Sequence, residues 1–364
     1  MIELALPCQL DGDQEEPFVV KLGATESPVY TRELVGSFAP RVSCNEEVYQ
    51  TAFGKLTISS PPGLSLEGDV AFVDPVQGRL HRWFRRGDTQ NTLLITERCD
   101  QLCIMCSQPP KKSHTDLFDH FFEACLLADK GADIGLSGGE PTLFKGQIFD
   151  LIDRVRALRP EIRFHILTNA QHFEDDDIPV LAAFGEAVCW GVPLYSTEAS
   201  EHDDIVGKQG AHAALTNGLA RLVRSGSVLE LRTVVMRQNM HRLPELARWV
   251  RTHLPGVDCW AVMQLERQGF ARTRWAAQFF DHSNDFSKLA EALSYAAAYG
   301  LPVTLYNFPR CTVPEAYRDF APSTISDWKR AYFDDCEACS QKVLCGGLFA
   351  WHKDSNPYAH WGAL

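Results

Sequence analysis

The chain has 364 residues, 45% of them hydrophobic and 23% charged, the balance of a globular protein and not of a disordered or fibrous one. A net charge of −12 disfavours duplex nucleic acid as the main partner, because phosphate binding needs a concentrated positive field. No apolar run reaches the roughly 20 residues of a membrane span. The opening MIELALPCQLDGDQEE lacks the basic start of a signal peptide, so the expected location is cytoplasmic, with no membrane partner.

In chain order, residues 1–90 carry short β-prone runs at 18–20, 55–59, 70–73 and 79–84. Pro61-Pro62-Gly63 and Asp74-Pro75 break them, which predicts a small β-rich N-terminal domain. From 91 the pattern changes. Compact apolar strands are expected at 91–96, 133–137, 162–167, 187–194, 228–236 and 257–264. Helices are expected at 117–126, 145–158, 175–184, 211–225, 243–254 and 285–299. Six strand–helix units over 91–300 imply an α/β fold whose parallel sheet is covered by helices. Six is two short of a full eight-fold barrel. An open partial barrel and a doubly wound sheet both fit, and each places its active site at the C-terminal ends of the strands. The tail, 301–364, holds one short strand at 301–306 and then turns. So sparse a core calls for a staple.

Cysteine usage supplies candidates for that staple. There are 12 cysteines, and in a large chain without a secretion signal clustered cysteines read as metal ligands before disulfides. Cys99, Cys103 and Cys106 form one group; Cys311, Cys336, Cys339 and Cys345 form another. Cys8, Cys44, Cys125, Cys189 and Cys259 are scattered, and the last three lie in apolar runs as expected buried fillers.

Cys99-x3-Cys103-x2-Cys106 follows directly on the first strand of the α/β region. Thiolates ligate iron–sulfur clusters, and three of them on a four-iron cluster leave one iron open to a ligand. A zinc site completed by His114, or three free thiols, are the plainer alternatives. After the second strand comes Ser137-Gly138-Gly139-Glu140-Pro141. Paired glycines let the backbone approach a ligand, and Glu140 is suited to accept a hydrogen bond from an amine. A tight turn is the bland reading.

Together, CxxxCxxC after strand one and GGEP after strand two resemble the radical S-adenosylmethionine (SAM) superfamily. The resemblance covers about 91–300. It implies a partial (βα)6 barrel and a 4Fe-4S cluster on Cys99, Cys103 and Cys106, whose open iron is chelated by SAM. It also implies that Gly138, Gly139 and Glu140, with Pro141 behind them, hold the methionine amino group. The residue before the third cysteine is commonly aromatic; here Met105 stands there against the adenine. Thr168, Asn169, Ser196, Arg232 and Asn239 map more loosely onto SAM contacts, against a plain reading as turn or surface residues. The implied chemistry is reductive cleavage of SAM to a 5′-deoxyadenosyl radical that abstracts a substrate hydrogen.

Four tail cysteines are the full complement of one further cluster. They resemble the auxiliary-cluster extensions, of twitch or SPASM type, found on peptide-modifying members of the superfamily. A four-cysteine zinc knuckle is the alternative. TERCDQLCIMCSQPPK, SGGEPTLF, VPLYSTEASEHD and the tail are together similar to the His-Xaa-Ser system radical SAM maturases. That resemblance implies a ribosomally made peptide or protein precursor, with His-Xaa-Ser repeats, as substrate for modification or crosslinking. It further implies a second radical SAM maturase as partner. A ferredoxin or flavodoxin is the expected electron donor, steered by basic groups at Arg79, Arg82, Arg85, Arg86, Lys111 and Lys112. Two other classes compete. A small-molecule enzyme such as a carboxy-deazaguanine synthase shares the motifs but generally lacks the cysteine tail. A zinc or iron–sulfur scaffold or sensor has no use for GGEP.

Overall fold

The computed structural model describes residues 4–23, 38–42, 47–352 and 356–364; Cys44 lies outside them. The chain divides into two units.

One unit comprises Glu3–Thr96 and Thr115–Ile166. It opens with seven strands: β1 (Ala5–Asp11), β2 (Phe18–Leu22), β3 (Phe38–Ala39), β4 (Glu47–Thr51), β5 (Gly54–Ile58), β6 (Val70–Asp74) and β7 (Arg79–Phe84). They form one sheet in the order β3-β2-β6-β7-β1-β5-β4. Beyond β3, Val42 N–H donates to Val48 O and Gln50 N–H to Pro40 O, both at 2.9 Å, so the two ends of that order meet and the strands close into a small barrel. Alternation fills it: Phe18, Val20 and Leu22 of β2, Leu56 and Ile58 of β5, and Ala71 and Val73 of β6 all point inward. Each such large side chain, once buried, stabilises the fold by about 1.5–3 kcal/mol. Two of the expected surface cations are not at the surface. Arg82 lies 2.6 Å from Asp69 with both side chains buried, and Arg85 is paired with Asp88. The basic face ahead of the α/β region is thereby reduced to Arg79 and Arg86.

The same unit begins the α/β region with β8 (Thr92–Thr96), α1 (Phe118–Leu127), β9 (Asp133–Gly138), α2 (Lys145–Leu158) and β10 (Arg163–Leu167). β8, β9 and β10 run parallel, with β9 in the middle. In α2, Ile148, Leu151, Ile152 and Val155 are buried at helical spacing, so one stripe of the helix faces the core.

The other unit comprises Glu97–His114 and Leu167–Leu364. It contains α3 (Ile178–Phe184), β11 (Val188–Pro193), α4 (Ala199–Val206), α5 (Ala211–Arg224), β12 (Val228–Val235), α6 (Leu243–His253), β13 (Cys259–Gln264), α7 (Gly269–Gln278), α8 (Ser287–Ala298) and β14 (Val303–Tyr306). β11, β12, β13 and β14 are successive parallel neighbours. The short strand assigned to the tail is therefore a further parallel strand, giving seven where six were expected. After it come 3-10 turns and one two-stranded antiparallel pair, β15 (Arg330–Ala331) with β16 (Leu348–Phe349).

The register of β11–β14 separates two faces. Trp190, Leu229, Leu231, Trp260, Val262 and Leu305 fill the apolar one. On the opposite face Cys189, Glu230, Arg232, Cys259 and Tyr306 lie together. Cys125 is a buried filler as expected, but Cys189 and Cys259 are only half-buried and share that polar face.

Candidate active site

The three-cysteine loop follows the end of β8 and is built on α4 and α7. Leu102 N–H donates to Val206 O at 3.0 Å and Ile104 N–H to Ile205 O at 2.9 Å. From α7, Phe270 N–H bonds Cys106 O at 2.9 Å, while Arg274 and Gln278 donate to Ile104 O at 3.1 and 2.9 Å. Gly269, with φ +53°, lets α7 approach: a Cβ there would lie 2.3 Å from Cys106 O. Neither helix was expected from the sequence, and both hydrogen-bond to this loop.

Asp100, inside the loop, fastens it sideways. Its carboxylate accepts the Asn169 side-chain amide at 2.8 Å, pairs with Lys208, and lies 3.3 Å from His172. Burial alone would raise this carboxyl; the hydrogen bonds from His172 and Lys208 outweigh it and hold the group well below the usual carboxylate range.

None of Cys99, Cys103 and Cys106 is in a disulfide, and all three are half-buried. Burial, with Cys106 and Cys99 close by, pushes the Cys103 thiol up to about 12. Crowded thiols of this kind are poor anions by themselves and suit a cationic group that several thiolates hold at once. Among the described residues no three His, Cys, Asp or Glu side chains are arranged to hold a single metal ion. Met105 is buried among Tyr195, Ile205, Val206, Met236 and Leu265, as part of an apolar cluster.

The looser candidates have local partners in the same unit. The Thr168 hydroxyl accepts from Ala170 N–H at 3.0 Å. Ser196 is fully buried; its hydroxyl donates to Glu201 at 2.6 Å and accepts from Glu198 N–H at 3.1 Å. Arg232 is paired with Glu230 and lies 5.9 Å from the Tyr306 ring. Asn239 is also fully buried, its amide donating to Tyr195 O and Val234 O while its oxygen accepts from Met236 N–H.

Gly138, Gly139, Glu140 and Pro141 belong to the other unit. Gly138 has φ +141°, and a Cβ would lie 2.1 Å from Thr96 O, so glycine is required by the closeness of β8 to β9. Gly139 N–H donates to that same carbonyl at 2.7 Å. Glu140 is 1% exposed; its carboxylate accepts from Thr142 N–H at 2.8 Å and from the Thr142 hydroxyl, at the start of a 3-10 turn opened by Pro141.

In the tail, Cys311, Cys336, Cys339 and Cys345 line one pocket, with Arg310 and Tyr332 beside them. Burial, followed by the three neighbouring cysteines, raises Cys311 to about 11. Four soft donors round one cavity are the donor set of an iron–sulfur cluster or a structural zinc.

Residues 93–250 match the model of a protein family described as the Radical SAM superfamily. The chain carries a radical SAM domain. The match covers both CxxxCxxC and GGEP. PqqA peptide cyclase of Rhodopseudomonas palustris is 30% identical over 161 residues, which are 42% of this chain and 41% of that protein. The chain thus spans about two fifths of the length of that curated relative. The solved structure of native anSMEcpe with bound AdoMet and Cp18Cys peptide superposes over 75% of this chain and 91% of its own, with a TM-score of 0.54 at 12% identity, a likeness of fold. Streptococcus suis SuiB bound to S-adenosylmethionine aligns over 59% of this chain and 49% of its own, with a TM-score of 0.47 at 15% identity. No helix among the described residues is long and apolar enough to cross a membrane.

Proposed function

We propose that this protein is a radical SAM maturase acting on a ribosomally made peptide or protein precursor. The observation that carries the reading is the pocket lined by Cys311, Cys336, Cys339 and Cys345, in the same unit as the loop of Cys99, Cys103 and Cys106. A radical SAM domain accounts for the loop; a second four-thiol site distinguishes a peptide maturase from a small-molecule enzyme. Four thiols share that pocket, the full complement of one cluster, in a chain whose loop motif already calls for iron–sulfur chemistry. A peptide cyclase among the relatives supports a polypeptide substrate.

Cys99, Cys103 and Cys106 would hold the SAM-binding 4Fe-4S cluster, and the tail cysteines an auxiliary one. Gly138, Gly139 and Glu140 would take the SAM amino group. When bound, the first cluster and SAM supply a hydrogen-abstracting radical; the radical chemistry is the cofactor's. The chain's own task is positional. Asp100 and Asn169 fix the loop, α4 and α7 hold its backbone, and the Met105–Tyr195 cluster keeps water from its inner side. In this reading the β-barrel of residues 1–90 is a docking surface for the precursor, the enzyme works in the cytoplasm, a ferredoxin or flavodoxin delivers electrons, and a second radical SAM protein acts on the same precursor.

Anaerobic reconstitution tests it: about eight irons per chain are expected if both clusters hold four. Replacing Cys99, Cys103 and Cys106 by Ala should remove about half of that iron and all SAM cleavage. Co-expression with a candidate precursor should change the precursor's mass, by a loss of about 2 Da for a crosslink, counted as two hydrogens. Zinc at the tail site in protein purified without oxygen would overturn the auxiliary-cluster assignment. A small heterocycle turned over in place of any peptide would overturn the maturase reading.

A further inference from the structure

The loop after β13 lies beyond the residues matched by the family model, and it carries two charges, Glu266 and Arg267. They stand at the C-terminal end of the strand, where a parallel sheet presents its chemistry, and α7 follows at once. Lys329 reaches Glu266 from the tail, its ammonium 3.5 Å from a carboxylate oxygen. Arg267 is left over. Its guanidinium lies 5.8 Å from the centre of the Trp275 ring; it is half-buried, and among the described residues it has no carboxylate partner.

The tail meets this loop with aromatic groups. Ala350 N–H donates to Lys329 O at 2.7 Å, which continues the pairing of β15 with β16 and sets Lys329 beside the turn of Trp351 and His352. The Lys329 ammonium lies 5.9 Å from the centre of the Trp351 ring, and that ring is stacked on Phe349 at 5.0 Å. The His352 ring lies 5.3 Å from that of Trp275. His352 is 4% exposed; burial, and then Arg267, lower its pKa to about 4, so the ring is neutral. His352 Nδ1 and Trp351 Nε1 are both buried without a hydrogen-bond partner. Buried polar atoms are rarely left so, and two in one turn, beside an arginine without a carboxylate, mark a place that a ligand completes.

Charge decides which ligand. Arg267 offers a planar fork of donors, and the Trp275 face steadies that fork. The unused indole N–H of Trp351 and a neutral imidazole add further donors, and a carboxylate accepts from all of them. A half-buried cation holds such an anion more tightly than an exposed one, because less water screens the pair. The flanking indoles suit the apolar stem of a side chain. We propose that Arg267, with Lys329 and the rings of Trp275 and Trp351, anchors a carboxylate of the polypeptide substrate. This rests on reading the protein as a peptide maturase, and it names the part of the peptide that is gripped. Three residues after Arg267, the Phe270 amide bonds Cys106 O, so a grip here holds the substrate beside the cysteine loop by a group other than the reacting one.

The experiment uses the full reconstituted chain. The probe is the peptide whose mass changes on co-expression, labelled with fluorescein, and copies of it with each carboxylate removed in turn: Asp to Asn, Glu to Gln, and the C-terminus amidated. Fluorescence anisotropy reads peptide affinity, and equilibrium dialysis reads SAM affinity on the same samples. Arg267→Gln should weaken peptide binding by about 10- to 150-fold, the loss of a hydrogen-bonded charge pair. Arg267→Lys, a charge without the fork, should recover part of that loss. Arg272→Gln removes an exposed cation from α7 and should leave peptide affinity unchanged. One carboxylate of the peptide should show the same loss against the wild type and no further loss against Arg267→Gln. Additive losses at every carboxylate, or equal peptide binding by wild type and Arg267→Gln, would overturn the inference. So would a fall in SAM affinity with peptide affinity kept, which would give the cation to the carboxylate of SAM. A wild type that binds no peptide and turns over a small heterocycle would instead defeat the maturase reading, and peptide modification by the wild type separates the two failures.

Discussion

The side-chain amide of Asn169 donates to the Asp100 carboxylate at 2.8 Å, linking a residue just past β10 to the start of the three-cysteine loop. Lys208 and His172 reach the same carboxylate. A three-cysteine loop of eight residues has little core of its own, so its shape is dictated by these anchors and by α4 and α7.

Asp100→Asn should therefore destabilise the protein at pH 7 by about 1.5–3 kcal/mol, the range for hydrogen bonds to a charged group. The folded-state pKa of Asp100 is depressed, so its contribution is present above the unfolded value and is lost as pH falls below it. Thermal melts of the two proteins should differ most near neutrality, begin to approach each other below about pH 4, where an unfolded Asp protonates, and meet only once pH has passed the depressed folded value. A constant gap across that range would mean that the carboxylate's charge is irrelevant.

Glu140 tests the other motif. Glu140→Gln keeps an acceptor for Thr142 N–H but loses the charge-assisted bond proposed for the SAM amine. SAM affinity should fall by about 10- to 150-fold, equivalent to 1.5–3 kcal/mol, with the cluster spectrum retained. Thr142→Val should cost stability and leave SAM binding alone. Equal SAM binding by wild type and Glu140→Gln would reduce Glu140 to a turn cap.

Gly138 is explained by packing without any ligand. Gly138→Ala would force a Cβ to 2.1 Å from Thr96 O at a backbone φ of +141°. The expected cost is at least about 1–3 kcal/mol, measurable by denaturant unfolding of protein without cofactor. A neutral substitution would show that the β8–β9 approach is looser than described.

Much of this architecture is legible in the sequence. α2 runs over 145–158 as expected, because its buried residues recur at helical spacing between a proline-led turn and Arg159. The parallel strands announce themselves as short apolar runs between turn formers. α4 and α7 do not, since neither ASEHDDIV nor GFARTRWAAQ carries a continuous apolar stripe; contacts with the cysteine loop define them. β1 escapes detection because only alternate residues of a barrel strand are apolar, and Pro7 and Cys8 obscure the period. Cys189 and Cys259 look like fillers in a linear reading, yet strand alternation turns them to the face of Glu230 and Arg232. The grouping of the tail cysteines follows from their spacing. The backbone amides that donate to Cys339 and Cys345 do not, because a backbone N–H has no code in the side chains.

The last expectation concerns acid. His202 is 1% exposed, its ring stacked on Tyr195 with centroids 5.7 Å apart and facing His212 edge-on at 5.6 Å. Its Nδ1 accepts Tyr195 N–H at 3.4 Å, which requires a neutral ring protonated on Nε2. Burial first, and then His212, lower its pKa to about 4. At pH above roughly 6.5 His202 is neutral folded or unfolded and contributes no pH dependence. Below that, the unfolded chain takes up a proton that the folded one refuses, and stability falls by up to about 1.4 kcal/mol per pH unit until the folded pKa is passed. His202→Phe keeps an aromatic ring against Tyr195 and abolishes the titration. It should cost stability at pH 7 through the lost acceptor, while its decline between pH 6.5 and 4.5 is shallower than that of the wild type. Melting curves taken at half-unit steps across that window measure the difference directly. Parallel declines would mean that His202 is protonated in the folded state, against its burial, and that other groups set the acid limit.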